Sequence, residues 1–122
     1  MPHLVCHYSA STDMPPMQDV MLALHRAAAS TGVVKAEDLK IRAQPFIDYL
    51  VAGEQRSFFH LSLYLLAGRT REQKERLSVA LRQELSELLP DIYSISVDIR
   101  DMDPEAYKKR LLDVPPRSVR QG

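Results

Sequence analysis

FFHLSLYLLAGRTREQKERLSVALRQELSELLP, residues 58–90, changes its apolar period once. In its first part Phe59, Leu61, Leu63 and Leu65 alternate with His60, Ser62 and Tyr64, the period of two that sends successive side chains to opposite faces of a strand. Ala67 and Gly68 close that strand. Thr70 and Gln73 then have the spacing of a capping box, Leu77, Leu81, Leu85 and Leu88 mark one apolar helix face, and Pro90 ends the helix. Downstream, Ile95, Val97 and Ile99 alternate with Ser94, Ser96 and Asp98, a strand with one polar face.

The first half of the chain follows the same order. His3 to Tyr8 is a short apolar and aromatic run bounded by the turn cluster Ser9 to Asp13, and predicts a strand. Pro15 and Pro16 suit a first helical turn, after which Met17, Val20, Met21, Leu24, Ala28 and Thr31 keep helical spacing as far as Gly32. Leu39, Ile41 and Ala43 alternate with Lys40, Arg42 and Gln44 in a second strand that extends or bends near Pro45. Corresponding elements of the two halves lie roughly 55 residues apart, the spacing of a structural duplication, although few residues are shared. Two right-handed strand–helix–strand crossovers predict one α+β, two-layer domain over residues 1–122, a four-stranded sheet with both helices on one face. The uncovered, partly apolar face predicts packing against other subunits. Pro104 to Leu112 is expected to form a short helix in that contact, and Pro115 to Gly122 to be frayed.

Composition narrows the function classes. With 122 residues, 45% of them hydrophobic, the chain suffices for a single core. Lys plus Arg and Asp plus Glu both number 16, so nothing draws the whole molecule to nucleic acid or an anionic membrane, and any anion site must be local. The lone Cys6 excludes an internal disulfide and suits a reducing compartment, and the opening MPHLVCHYSA lacks the pattern of a secretory signal. A cytoplasmic protein without membrane spans is expected.

No Gly-rich phosphate loop, CxxC pair, HExxH or GxSxG occurs in the sequence. His3 and His7 share a strand face but sit about 13 Å apart at ~3.3 Å per residue, too far to share a metal. They and His60 read as structural histidines, and Cys6 as a small buried hydrophobe; no metal or cofactor is expected. Pro2 differs because removal of Met1 would leave it as a secondary amine able to accept and return protons. An ordinary α-amino group titrates at about 7.7–8.0 and a prolyl amine somewhat higher, so base catalysis near neutrality needs desolvation or nearby cations to lower it. Alone, a proline at position 2 says only that Met1 is easily removed.

Two arginines give it company. Arg42 projects from the polar set of the second strand, and Arg69 follows Gly68 just before a helix N-terminus, where anions are favoured. Arginine forks bind carboxylates bidentately and keep their charge, so both are candidate substrate-binding residues, against the ordinary alternative of solvated surface charges. Arg71 reads as a helix-surface residue and Lys108, Lys109 and Arg110 as a solvated run.

The opening MPHLVCHYSAST, the helix end AAASTG, the strand LKIRAQ and the segment FFHLSLYLLAGRTREQKERLS, in this order and spacing, resemble the tautomerase superfamily and within it the 5-carboxymethyl-2-hydroxymuconate isomerase family. The resemblance implies a homotrimer whose sheets form an inner barrel, with an N-terminal proline in a pocket near a subunit boundary. It implies a cofactor-independent enol-to-keto isomerisation of a carboxylated 2-hydroxydienoate, in aromatic-compound breakdown. Pro2 would be the catalytic base, and Arg42 and Arg69 would hold substrate carboxylates and polarise the keto oxygen. The chain departs from the family pattern at His7, where an acidic residue commonly stands, and at Tyr64, where a basic one often does; both bear on the substrate. Two alternatives accompany this reading: a non-catalytic trimeric binding or scaffold homologue with Met1 retained, and a decarboxylase- or dehalogenase-type activity of the same superfamily.

Overall fold

The computed structural model describes residues 2–10 and 13–113. Met1, residues 11 and 12 of the expected turn cluster, and the 115–122 tail lie outside the described residues. The elements are β1 (His3–Ser9), α1 (Met17–Ser30), a 3-10 turn (Ala36–Asp38), β2 (Lys40–Phe46), β3 (Phe58–Leu66), α2 (Arg71–Leu88) and β4 (Ser94–Met102). The predicted strand, helix, strand order thus occurs twice, and the starts His3 and Phe58, Met17 and Arg71, Lys40 and Ser94 recur at nearly one interval.

The four strands form one sheet in the order β2-β1-β3-β4. β1 runs parallel to β2 and β3 parallel to β4, each pair joined by its helix, while β1 and β3 meet antiparallel at the centre, with His3 opposite Tyr64 and Leu4 opposite Leu63. β2 is an edge strand, so Pro45 can continue it without costing the sheet an interior N–H bond. The strand therefore extends through the proline to Phe46.

Alternation decides the core. Leu4 and Cys6 of β1 and Phe59, Leu61, Leu63 and Leu65 of β3 are fully buried beneath Val20, Leu24 and Ala28 of α1 and Leu77, Leu81 and Leu85 of α2. Ile41, Ala43, Ile95, Val97 and Ile99 extend this layer toward the edges. Both helices thus cover one face and leave the other open.

Local chemistry fixes the ends. Thr70 Oγ1 accepts from the Gln73 backbone N–H (3.1 Å) while the Thr70 N–H donates to Gln73 Oε1 (2.9 Å), the reciprocal cap that the sequence predicts. The two prolines before α1 precede the helix rather than form its first turn: the Pro16 carbonyl accepts from the Asp19 and Val20 N–H groups. Between β2 and β3 a tight turn unmarked in the sequence analysis closes Val51 on Glu54 through two backbone bonds, with Ala52 and Gly53 both at positive φ. That geometry usually selects Asn-Gly, and the Ala52 Cβ tolerates it at some strain.

The helix expected over Pro104 to Leu112 does not form. Asp103 folds one turn by accepting from the Glu105 N–H with its side chain and from the Ala106 and Tyr107 N–H groups with its carbonyl. Beyond it, Lys108, Lys109 and Arg110 repel one another, and Leu111 and Leu112 stay exposed without a face to bury. Among the described residues no helix is long and apolar enough to cross a membrane.

Thr70→Ala should destabilise the protein by about 1 kcal/mol through loss of the cap, and Leu81→Ala by about 2–5 kcal/mol through a cavity under α2. Urea unfolding monitored by far-UV circular dichroism would measure both, with the larger shift in midpoint expected for Leu81→Ala.

Candidate active site

Strand alternation lifts His3, Val5 and His7 of β1, Lys40, Arg42 and Gln44 of β2, and His60, Ser62 and Tyr64 of β3 onto the open face. In-register pairing then sets Arg42 beside Val5, and His3 between Lys40 and Tyr64. The strand ends that carry His3, Lys40, Leu66 and Met102 lie together at one end of the sheet. Here His3, Val5, Arg42, Tyr64 and Met102 line a cavity of ≈ 350 Å³. A second hollow of ≈ 300 Å³ shares Val5 and Arg42 and reaches Gln44. The larger hollow of ≈ 460 Å³ lies between α2 and β4, lined by Arg71, Lys74, Glu75, Ser78, Val97 and Ile99. Its Lys74 is already paired with Asp101 at 3.3 Å, and it lies on the helical side of the sheet.

Arg42 lines the first cavity, and its Nη1–H donates to His3 Nδ1 at 3.2 Å. The other ring nitrogen, Nε2, is 2.9 Å from the Tyr107 hydroxyl, which the turn at Asp103 brings back over the sheet. Partial burial, and then the charges of Arg42, Lys40 and the chain N-terminus, lower the His3 pKa below its ordinary 6.5. The imidazole is therefore neutral at neutral pH, and the cavity's charge comes from cations.

Pro2 is buried at the same end, and its carbonyl accepts from the Lys40 N–H at 3.1 Å, tying the chain start into the β1–β2 ladder. Its nitrogen is an amide while Met1 remains and a secondary amine once Met1 is gone. Arg69 also lies at this end, beyond β3, where Gly68 takes φ 131 to turn the chain toward α2. Its guanidinium donates to the Leu66 and Val33 carbonyls, both at 3.4 Å, and Arg69 is not among the residues lining the Arg42 cavity. Within one chain, then, Pro2, Arg42 and Arg69 share an end of the sheet, but of the three only Arg42 lines the cavity.

His7 stacks edge-on against Phe46 with ring centroids 5.0 Å apart, and His60 Nδ1 bonds Ser96 Oγ at 2.6 Å. Among the described residues no cluster of three or more His, Cys, Asp or Glu could hold a metal. Cys6 faces the core, and burial pushes its thiol up to about 12, far from a nucleophile's range. Of this site's residues, Tyr107 has no role in the sequence reading, His3 figures there only as a structural histidine, and Tyr64 only as a departure from the family pattern. His3 and Tyr64 could have been placed from period two, since both fall on the face of Arg42. Tyr107 left no such signal, because it reaches His3 only when the tail folds back.

No curated protein matches the chain. The family model described as 5-carboxymethyl-2-hydroxymuconate isomerase matches residues 2–112. Among solved structures, the chain is similar to a 5-carboxymethyl-2-hydroxymuconate isomerase from Deinococcus radiodurans R1, with TM-score 0.80 and 21% identity, covering 89% of this chain and 88% of that one. It is similar also to a fused 4-OT described as a symmetric trimer, with TM-score 0.73 and 22% identity over 84% and 88% of the two chains. A malonate semialdehyde decarboxylase inhibited by 3-bromopropiolate aligns with TM-score 0.69 and 18% identity over 92% and 98%. At these identities the structures establish a shared tautomerase-type fold. The family match over nearly the whole chain establishes more: the protein belongs to the 5-carboxymethyl-2-hydroxymuconate isomerase family and is an enzyme of isomerase and tautomerase type.

Proposed function

We propose that the processed chain, with Met1 removed, is a cofactor-independent isomerase that converts the enol of a carboxylated 2-hydroxydienoate, such as 5-carboxymethyl-2-hydroxymuconate, to its keto isomer. The observation that carries this reading is the placement of Pro2, buried at the start of β1 next to His3, which lines the Arg42 cavity. The neutral prolyl nitrogen takes the proton of the enol O–H. As the carbonyl forms, the electron pair of the enol double bond shifts along the diene, and the prolinium returns the proton to carbon. Atoms are conserved and no redox partner is needed. Arg42 supports this chemistry in two ways. It offers a fork to a substrate carboxylate, and its charge opposes protonation of a nearby amine, lowering the amine's pKa toward neutrality. Arg69 would supply a second carboxylate or carbonyl contact, exchanging a backbone carbonyl for substrate.

The same reading includes a trimer. The open sheet face presents Val5, Phe58, Tyr64 and Leu66 partly covered at best, and Ile47 and Leu50 on the β2–β3 connection are 77% and 72% exposed, a distribution that a subunit contact would bury. Packing the open faces of three subunits together would close the cavity walls that one chain leaves wide, and would give Arg69 a route to a neighbour's pocket. The fused 4-OT relative, described as a symmetric trimer, supports that arrangement.

Ketonisation of 5-carboxymethyl-2-hydroxymuconate, followed by ultraviolet absorbance, tests the reaction. Pro2→Ala, with Met1 removal checked by mass, should lower kcat by about 10²–10⁴-fold, the usual contribution of a positioned acid–base group. Undiminished turnover in that variant would remove the mechanism. Arg42→Ala should act mainly on KM, raising it about 10- to 100-fold for a lost charge-assisted bond of ~1.5–3 kcal/mol. Decarboxylation or dehalogenation of small carboxylates with no ketonisation would assign the fold to a different chemistry.

A further inference from the structure

His3 has no task in the proposed reaction, yet both its ring nitrogens are engaged by residues from separate parts of the chain, Arg42 on β2 and Tyr107 beyond β4. A guanidinium has donors only, so Nδ1 must be the bare acceptor. Nε2 then carries the ring hydrogen and donates to the Tyr107 oxygen, fixing one neutral tautomer. The rings of His3 and Tyr107 also pack edge-on, with centroids 5.8 Å apart at 76°.

We infer that His3 is a positioning residue: clamped by Tyr107, it holds the Arg42 guanidinium in the cavity, oriented to receive a substrate carboxylate. The inference rests on the proposed reading of Arg42 as a carboxylate site. The choice of partner is its chemical rationale. Among the described residues the ion pairs are Arg56 with Glu54, Lys74 with Asp101 and Arg100 with Asp98, and Arg42 takes part in none of them. A carboxylate partner would orient Arg42 but cancel the charge that the substrate needs. A neutral imidazole uses one N–H and leaves the positive charge and the other donors available. Tyr107 makes the segment after β4 a strap across this end of the sheet, held in shape by the three bonds to Asp103.

The arrangement works only while His3 is neutral. The charged groups that its surroundings supply are Arg42 and Lys40 from β2 and the chain N-terminus; Tyr64 of β3 and Tyr107 of the strap are the other titratable neighbours, and Arg100 of β4 lies one strand further. Burial and the charges of Arg42 and Lys40 keep its pKa below 6.5, so the bond to Arg42 is intact above that pH. As pH falls through the lowered value, the imidazolium loses its acceptor and repels Arg42.

The test combines ring-nitrogen NMR with kinetics on the processed, assembled protein, using 5-carboxymethyl-2-hydroxymuconate. At pH 7.5 the His3 ring should be hydrogen-bearing at Nε2 and bare at Nδ1, and Tyr107→Phe should weaken that preference. His3→Ala should raise KM about tenfold with a much smaller change in kcat, and His3→Asn, whose amide oxygen can stand in for Nδ1, should recover most of it. The rise of KM on the acid side should vanish in His3→Asn. In an Arg42→Ala background His3→Ala should add nothing, because the two residues act as one unit. A ring protonated at Nδ1, or a His3→Ala effect of equal size with and without Arg42, would overturn the inference while leaving the Arg42 reading intact. An unchanged KM in Arg42→Ala would overturn the carboxylate reading and this inference with it.

Discussion

β1 and β3 run antiparallel at the centre of the sheet, and this one pairing determines where the chemistry can be. Each half of the chain is a parallel strand pair bridged by a helix, and neither half alone buries its apolar face. The antiparallel joint lays the two halves side by side so that Val20, Leu24 and Ala28 of one helix and Leu77, Leu81 and Leu85 of the other cover a continuous apolar layer. It also brings the start of β1 to the end of β3. Pro2 and His3 come from the first half, Tyr64 and the Gly68–Arg69 turn from the second, and no local property of either half would place them together.

Once one face is sealed by helices, the polar set of every strand is forced onto the other. That is why Arg42 meets His3: both lie on the open side of neighbouring parallel strands. The resulting site is cationic and partly apolar, with Arg42 against Val5, Tyr64 and Met102. Those features suit a substrate that pairs a carboxylate with a conjugated carbon chain, and they favour a neutral amine over an ammonium ion. The energetic logic of the proposed catalysis is therefore electrostatic: fixed positive charge stabilises developing oxyanion and lowers the basicity of the proton carrier. A single subunit leaves this cavity open to solvent on one side, which dilutes that field. Assembly on the open face would strengthen it.

The regular elements were legible because period two and period 3.6 are local signals. Leu61 and Leu63 announce β3, and Thr70 with Gln73 announces α2. The duplicated strand–helix–strand order followed from the same patterns. The Val51–Glu54 turn escaped because Ala52 and Gly53 are not the usual pair at positive φ. The helix expected over Pro104 to Leu112 stops at the single turn on Asp103, because Leu111 and Leu112 find no surface of this chain to pack against. Arg42 was legible as a candidate from its place in the polar set. Its bond to His3 spans 39 residues of sequence and that from His3 to Tyr107 spans 104, distances at which no periodicity reports. Arg69 was legible by its glycine neighbour, while its two backbone carbonyl partners depend on how the α1–β2 connection passes the β3–α2 turn.

In the proposed reaction every proton passes through one nitrogen atom, that of Pro2. Selective ¹⁵N labelling of proline, with the Pro2 resonance of the assembled native protein followed across pH, measures its state directly. A base at Pro2 is expected to show a secondary amine that titrates below the value of about 7.7–8.0 of an ordinary α-amino group. A Pro2 nitrogen that does not titrate, as an amide to a retained Met1 would not, contradicts the proposed catalysis.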